Sequence, residues 1–474
     1  MDYSFFLDKN KEEMIKTLQE SVRIKSILED EAKAPDGTIL PFGKGIEKAY
    51  QHMLNKGKDM GFEIYDADHF GGHIEFQAED TDEVFGIAAH LDVVPEGTGW
   101  EKEPYSADIV DNFMYGRGTT DDKGPLVACL YAMKALKEAG LKPKKNIRLI
   151  LGLDEETEKK GMEYYLEKAG MPDFGITPDG EFPLANGEMG ILIFDIAKKL
   201  KKGNGEGFIL KKIESGTAPN IVPGNAYALI GHKDKSQIDK LIEIVNVYKE
   251  KSGYNVNASK KGTSLGIEVI GKAAHGAHPD LGLNSISILM ELLSNVNFDS
   301  EDVNEFIRYY NEYIAFDIKG GKLGIGFSDE PSGDLIFNVG MANFNDEVAS
   351  FTINIRYPVT IDGEDVYAGI EKTIKDKNIG IVKNSHEKPV YVPEDDDFVK
   401  TLMECYREGS GDMEGRPFVM AGGTYAKLMN KVLAYGAMFP YEEDRMHQAN
   451  ERLDIDSFTK FTKIYADMLY KLCF

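Results

Sequence analysis

The sequence predicts an α/β protein: a domain with a mixed, mainly parallel sheet flanked by helices, interrupted by a large inserted α+β domain. Three observations carry this. Apolar runs such as 85–89 and 147–153 suit strands buried on both faces. Both end abruptly in imidazole or carboxylate side chains, as strands do where an open sheet presents its carboxyl edge to a ligand. From about residue 186 to 388 the strands and helices follow a different pattern, after which the first character resumes.

The chain has 474 residues, 42% of them hydrophobic, enough for large cores in more than one domain. The expected divisions are 1–185 and 389–474 for the first domain and 186–388 for the insertion. Acidic residues (80) outnumber basic ones (55), and the net charge of −25 argues against a nucleic-acid or anionic-membrane partner. Most of those acids serve as a solvated surface. Cys129, Cys405 and Cys473 are too few and too scattered for a disulfide framework or a thiolate cluster, which points to a reducing compartment. The N-terminus lacks a basic region followed by an apolar core, and no apolar run approaches the ~18 residues of a membrane span, so a cytoplasmic protein is expected.

Taken in order, a short extended start from Met1 leads into an amphipathic helix, and apolar spacing predicts a second helix at 45–61. Short strands follow at 62–65 and 73–77. The strand FGIAAHLD, 85–92, ends in His90 and Asp92, which share a face if the strand continues. A turn-rich loop then carries Trp100, expected to pack at a rim. GRGTTDDKGP, 116–125, opens a helix with Pro125 at its first position and Leu126, Val127, Leu130, Met133 and Leu136 behind it. The strand at 147–153 ends in Asp154, Glu155 and Glu156, and ITPDGE, 176–181, sets Asp179 in a third such place.

In the insertion, strands are predicted at 189–197, 226–230, 265–270, 335–339 and 350–357. Helices are predicted at 237–249, 284–296, 303–313 and 364–376. Asn220 lies in PNIVP, His275 and His278 in GKAAHGAHP, and Arg356 at a strand end. An acidic connector at 390–397 leads to a helix at 398–408. MAGGTYAKLM, 420–429, has a Gly-rich loop at a helix start. YEEDRMHQANE, 441–451, places His447 before a last helix at 456–472. No internal repeat or low-complexity tract is present.

Each polar residue alone has an ordinary explanation: a strand end, a helix cap, a surface ion pair. Together they do not. Adjacent acids at a helix entrance repel phosphate, and the glycine spacing is not that of a phosphate loop. His90, Asp121, Glu156, Asp179 and His447, with Asp92 and Glu155 as neighbours, suit a pair of divalent cations such as zinc, manganese or cobalt. Two such ions ~3.5–4 Å apart, one carboxylate bridging, clamp a water and a substrate carbonyl for amide hydrolysis without a covalent intermediate.

In HLDVVPEGTGW, GRGTTDDKGP, DEE, TPDGE, GKAAHGAHP and MHQANE, the chain resembles the cocatalytic zinc peptidases that include aminoacylases, glutamate carboxypeptidases, succinyl-diaminopimelate desuccinylases and carnosinases. The resemblance spans most of the chain, and its nearest branch is the bacterial PepV-type dipeptidases, some described as Xaa-His or carnosinase-like. It implies that His90 and Asp179 hold one metal, Glu156 and His447 the other, and that Asp121 bridges. Asp121 is chosen over Asp122 because the family's bridging acid lies two before the Lys-Gly pair, and a cis peptide is implied after it. Asp92 is implied to orient His90, and Glu155 to be the general base. The insertion resembles the family's lid, in which His275, with His278 as competitor, stabilises the oxyanion. Asn220 and Arg356 then bind the substrate's carboxylate end, with Gly422, Gly423 and Thr424 lining that pocket. The size of the insertion implies a monomer that supplies its own lid histidine. The expected substrate is a free dipeptide, its amine received by acids near Asp121, cleaved with two divalent ions, zinc foremost and manganese or cobalt as options. A desuccinylase- or aminoacylase-type amidohydrolase and a non-catalytic metal- or peptide-binding relative are the alternatives.

Overall fold

A computed structural model describes residues 2–375 and 378–474. It divides into two compact units, Met1–Glu188 with Val390–Phe474, and Met189–Pro389.

The first unit is built on a nine-stranded sheet. Its centre is parallel: the strand Val84–His90 runs alongside Asn146–Gly152 on one side and Phe174–Thr177 on the other, and Phe174–Thr177 pairs in parallel with Val432–Ala434. Antiparallel strands flank that centre, with Gly72–Phe76 and Glu63–Asp66 at one end and Ala185–Glu188 and Val390–Tyr391 at the other, and Phe418–Met420 pairs in parallel with Ala185–Glu188. All seven residues of Val84–His90 are buried, and their alternation explains why the run is apolar throughout. Phe85, Ile87 and Ala89 enter the main core with the helices Tyr3–Val22, Lys123–Glu138 and Ile455–Cys473. Ala88 joins a second cluster with Ile150, Met162, Tyr165, Tyr425 and Val432. With both faces covered, neither admits a polar residue until the strand ends.

The helix Lys123–Glu138 buries nearly its whole circumference, as its apolar sequence demands. It begins two residues earlier than Pro125 suggested, so Pro125 is its third residue; an N–H is not needed there either, because the first turn has no intrahelical acceptor. Asp122 stands at the cap position without a side-chain capping bond. After the Gly-rich segment at 421–424, the chain forms only a short 3-10 turn, Tyr425–Leu428, capped by Thr424. The last helix, Ile455–Cys473, is capped by Asp454, which accepts from the N–H groups of Asp456 and Ser457.

The second unit holds an eight-stranded antiparallel sheet. Its order runs Asn255–Lys261, Ser264–Ile270, Asn225–Gly231, Ile209–Ser215, Ile336–Phe344, Val348–Tyr357, Gly190–Lys199, Gly380–Glu387. The helices Ser236–Ser252, Ser285–Leu293, Glu301–Tyr313 and Gly363–Ile374 contribute to its core. The predicted helix at 364–376 ends among the described residues at Ile374; Asp376 lies outside them. Three strands of this sheet, Ile209–Ser215, Asn255–Lys261 and Gly380–Glu387, are absent from the sequence reading. The last two are sheet edges, and they are exposed almost throughout.

Candidate metal centre and substrate residues

The carboxyl ends of the parallel strands gather the predicted acids and histidines of the first unit. His90 is the last residue of its strand, and its ring lies edge-on to Tyr425, centroids 6.5 Å apart. Its neighbour in register is Gly152, where an added Cβ would fall 2.2 Å from the Tyr425 ring. The glycine leaves room for the tyrosine, and the tyrosine walls the imidazole.

His90 Nδ1 lies 2.9 Å from the main-chain carbonyl of Asp92 and 3.4 Å from its carboxylate. Asp92 therefore meets the ring first through its backbone. Its Oδ2 accepts from the Glu156 N–H at 3.0 Å, so one residue braces two neighbours. With Nδ1 held, Nε2 of His90 faces Asp121 Oδ1 at 2.9 Å, with Asp179 at 4.0 Å. The other Asp121 oxygen lies 2.8 Å from Nε2 of His447, which is also 3.0 Å from Glu156. Asp121 thus turns one oxygen to each histidine. Asp122, across a cis peptide, turns away: buried, it accepts from the His90 N–H at 3.1 Å.

Ligand atoms of His90, Asp121 and Glu156 lie within 4.8 Å of one another, as do those of His90, Glu155 and Asp179. Two imidazoles and several carboxylates so placed fit a divalent cation by donor type and proximity. The electrostatics agree. Burial opposes charge on His90, but Asp121 and Asp92 outweigh it and hold its pKa well above the usual imidazole value. Hydrogen bonds to the carboxylates of Asp121 and Glu156 lift His447 to about 11. Burial, with Asp121 and Glu155 nearby, pushes Asp179 up. The cluster carries more negative potential than its own histidines neutralise.

The three acids after the Asn146–Gly152 strand divide by role. Asp154 is structural: its carboxylate accepts from the Gly161 N–H at 2.7 Å, and its carbonyl accepts from Thr157 and Lys159 to close the turn. Glu155 and Glu156 are left for the site. Glu155 forms an ion pair with Lys159, 2.8 Å away, and Lys159 also donates to the Gly423 carbonyl at 3.0 Å. Thr424 is buried, its hydroxyl donating to Glu188 at 2.6 Å and accepting from the Ala426 N–H.

One structural anchor was not singled out in the sequence. Glu451, fully buried, accepts from Arg117 at 2.6 Å and from the N–H groups of Gly118, Thr120 and Asp121 at 3.0, 3.0 and 3.4 Å. It ties the segment behind His447 to the loop that carries Asp121. Its place in MHQANE, beside a candidate ligand, was the available signal.

In the second unit, the ladder pairing Ile221 with His275 sets that histidine beside Asn220. The Gly276 N–H donates to the Asn220 carbonyl at 2.7 Å. His278 instead precedes the short turn Pro279–Leu281. Arg356, buried near the end of its strand, is the third predicted residue of this unit.

Cys129, Cys405 and Cys473 are all buried and unbridged. Among the described residues, no helix is long and apolar enough to cross a membrane.

Residues 86–471 match the peptidase family M20/M25/M40. A Staphylococcus epidermidis protein named "Putative dipeptidase" is 35% identical over 464 residues, covering 97% of each chain. The fold is shared with human carnosine dipeptidase 1 (16% identity, TM-score 0.55, 98% of this chain and 97% of that one). It is shared as well with aminoacylhistidine dipeptidase from Vibrio alginolyticus (16% identity, TM-score 0.54, 96% of each). A match over residues 86–471, the stretch that carries His90, Asp121, Glu156, Asp179 and His447, makes this chain a metallopeptidase of the M20/M25/M40 family.

Proposed function

We propose that the chain is a cytoplasmic, monomeric, dinuclear metal-dependent dipeptidase acting on free dipeptides. The observation that carries this is Asp121, whose two oxygens each face a different histidine while Glu155 stands beside the same cluster. His90 and Asp179 would hold one cation and Glu156 and His447 the other, with Asp121 shared; the donors suit Zn²⁺ first, and Mn²⁺ or Co²⁺ as well. Bound there, the cations supply Lewis acidity, making a water acidic and polarising the substrate carbonyl.

Glu155 takes the proton of the attacking water and delivers it to the leaving amine. A C–O bond forms, the amide C–N bond breaks, and one water is consumed for one carboxylate and one amine released. Asp92, braced against His90 and the Glu156 N–H, fixes the direction of both ligands. His275 is assigned to the tetrahedral oxyanion, and Asn220 and Arg356 to the substrate's carboxylate end. Gly422, Gly423 and Thr424 are assigned substrate contact from the first unit, where Glu188 accepts from both the hydroxyl and the N–H of Thr424.

The test is hydrolysis of a free dipeptide, its N-acetylated form and a tripeptide by metal-stripped protein, with zinc, manganese or cobalt returned in turn. Cleavage of the free dipeptide alone, restored by metal, supports the proposal. Cleavage of the acylated compound moves the chain to the aminoacylase or desuccinylase branch, and metal binding without cleavage leaves a binding protein. Glu155→Gln is expected to lower kcat by about 10²–10⁴-fold while metal content, read by atomic absorption, stays near wild type. Retained turnover in that variant removes Glu155 from the mechanism.

A further inference from the structure

The antiparallel sheet of Met189–Pro389 has two unlike faces. Phe337, Val339, Ile353 and Ile355 enter the hydrophobic core, so the alternate positions Asn338, Asn354 and Arg356 fall on the opposite face. Register sets Asn338 directly across from Asn354, and Ile336 across from Arg356. On the other flank, Ile193 pairs with Asn354 and Ile191 with Arg356. A guanidinium and two amides thus stand among isoleucines.

All three polar side chains are buried: Asn338 is 2% exposed, Asn354 1% and Arg356 6%. Yet both side-chain atoms of Asn354, Oδ1 of Asn338 and Nε of Arg356 have no hydrogen-bond partner. Directly opposed side chains are near enough to bond across strands, but these amides do not. Asn338 spends its Nδ2 on the carbonyls of Pro219 and Ile221, 3.0 Å each. It thereby fixes the Asn220 segment, which approaches so closely that a Cβ on Gly340 would meet the Pro219 oxygen at 2.2 Å. Burial lowers Arg356 to about 10, with Glu387 only partly offsetting it. A buried amide with neither atom paired is destabilising, and an apolar residue of the same shape would serve the fold better. Its retention beside an underpaired arginine points to a ligand.

We propose that Asn354 and Asn338 complete a subsite around Arg356 for the C-terminal residue of a peptide. Asn354 Nδ2 donates to the α-carboxylate that pairs with Arg356, and the amide oxygens of Asn354 and Asn338 accept that residue's N–H. The inference rests on the dipeptidase reading and deepens it by adding two asparagines to the residues that select the substrate's carboxylate end.

The experiment compares alanyl-alanine with alanyl-alaninamide on wild type, Asn354→Leu and Asn354→Ser, the smaller variant guarding against misfit of leucine. For alanyl-alanine both variants should raise KM about 10–100-fold with kcat nearly unchanged, the effect of one lost hydrogen bond to a charged group. For the amide, which keeps the N–H but lacks the carboxylate, the rise in KM should be several-fold smaller. Asn354→Leu should also raise the melting temperature, which a residue serving only the fold would not do when replaced. An unchanged KM for alanyl-alanine, or an equal rise for both substrates, overturns the subsite alone. A wild type that cleaves neither compound overturns the dipeptidase reading and the subsite with it.

Discussion

His90 and His73 are both buried imidazoles, on strands that flank the same neighbour, Asn146–Gly152. Their surroundings drive them in opposite directions. His90 meets carboxylates and is held toward its charged form. His73 lies against Tyr65 and Tyr165, its Nδ1 2.8 Å from the Tyr165 hydroxyl, and the carboxylate near it, that of Glu75 at 3.7 Å, is engaged by Arg148; burial first and Arg148 second lower its pKa to about 3. Between that value and the ordinary 6.5 the unfolded chain binds the proton that the folded chain refuses. Stability from this residue is therefore complete above pH 6.5 and falls as the pH drops toward 3, by about 3 kcal/mol at pH 4. His73→Gln, which keeps an acceptor for Tyr165, should flatten that slope in urea titrations at pH 4 and 7; an unchanged slope would mean that His73 is not the group titrating. The motif HLD singled out His90 in sequence only in company with the acids that end the other apolar runs, because alone it is an ordinary strand end. What no motif could give was the pairing of Glu155 with Lys159, or of Asp92 with both His90 and the Glu156 N–H, since these depend on how the turn after Gly152 closes.

At the scale of elements, the sequence periodicities located the central strands and most helices because these are buried on one face or two. They missed Asn255–Lys261 and Gly380–Glu387 because an exposed edge strand needs no apolar alternation. The tie between elements was equally hidden. The strand Arg452–Asp454 pairs with Phe113–Tyr115, which brings Glu451 under the 117–121 loop. Removing Glu451 strands a fully buried Arg117 and three backbone N–H groups. Glu451→Ala should cost about 3–5 kcal/mol in denaturant unfolding. Glu451→Gln, which keeps the acceptor for the backbone groups, should cost less. Equal losses in the two variants would assign the effect to the ion pair with Arg117 alone.

At the scale of the molecule, the candidate ligands of the first unit come from segments far apart in the chain, and only folding assembles them. A cation bound by them should therefore stabilise the folded state alone, by about 2.7 kcal/mol at a hundredfold excess over its Kd. Calorimetry with and without zinc or manganese checks this, and His447→Ala should remove most of the shift. No shift in wild type would count against a metal centre. The sequence by itself determined the α/β class and marked histidines and acids at strand ends, because burial dictates apolar periodicity and polar residues at strand ends stand out against it. Tertiary structure decided which acid of each cluster faces the histidines. Asp121 and Asp122 are chemically identical neighbours, as are Asp154 and the glutamates after it to a sequence pattern. Only the turn of the backbone aims Asp121 at two histidines while Asp122 caps the His90 N–H and Asp154 closes a loop. Composition records which groups are available; the direction of a side chain is set by contacts distant in the chain.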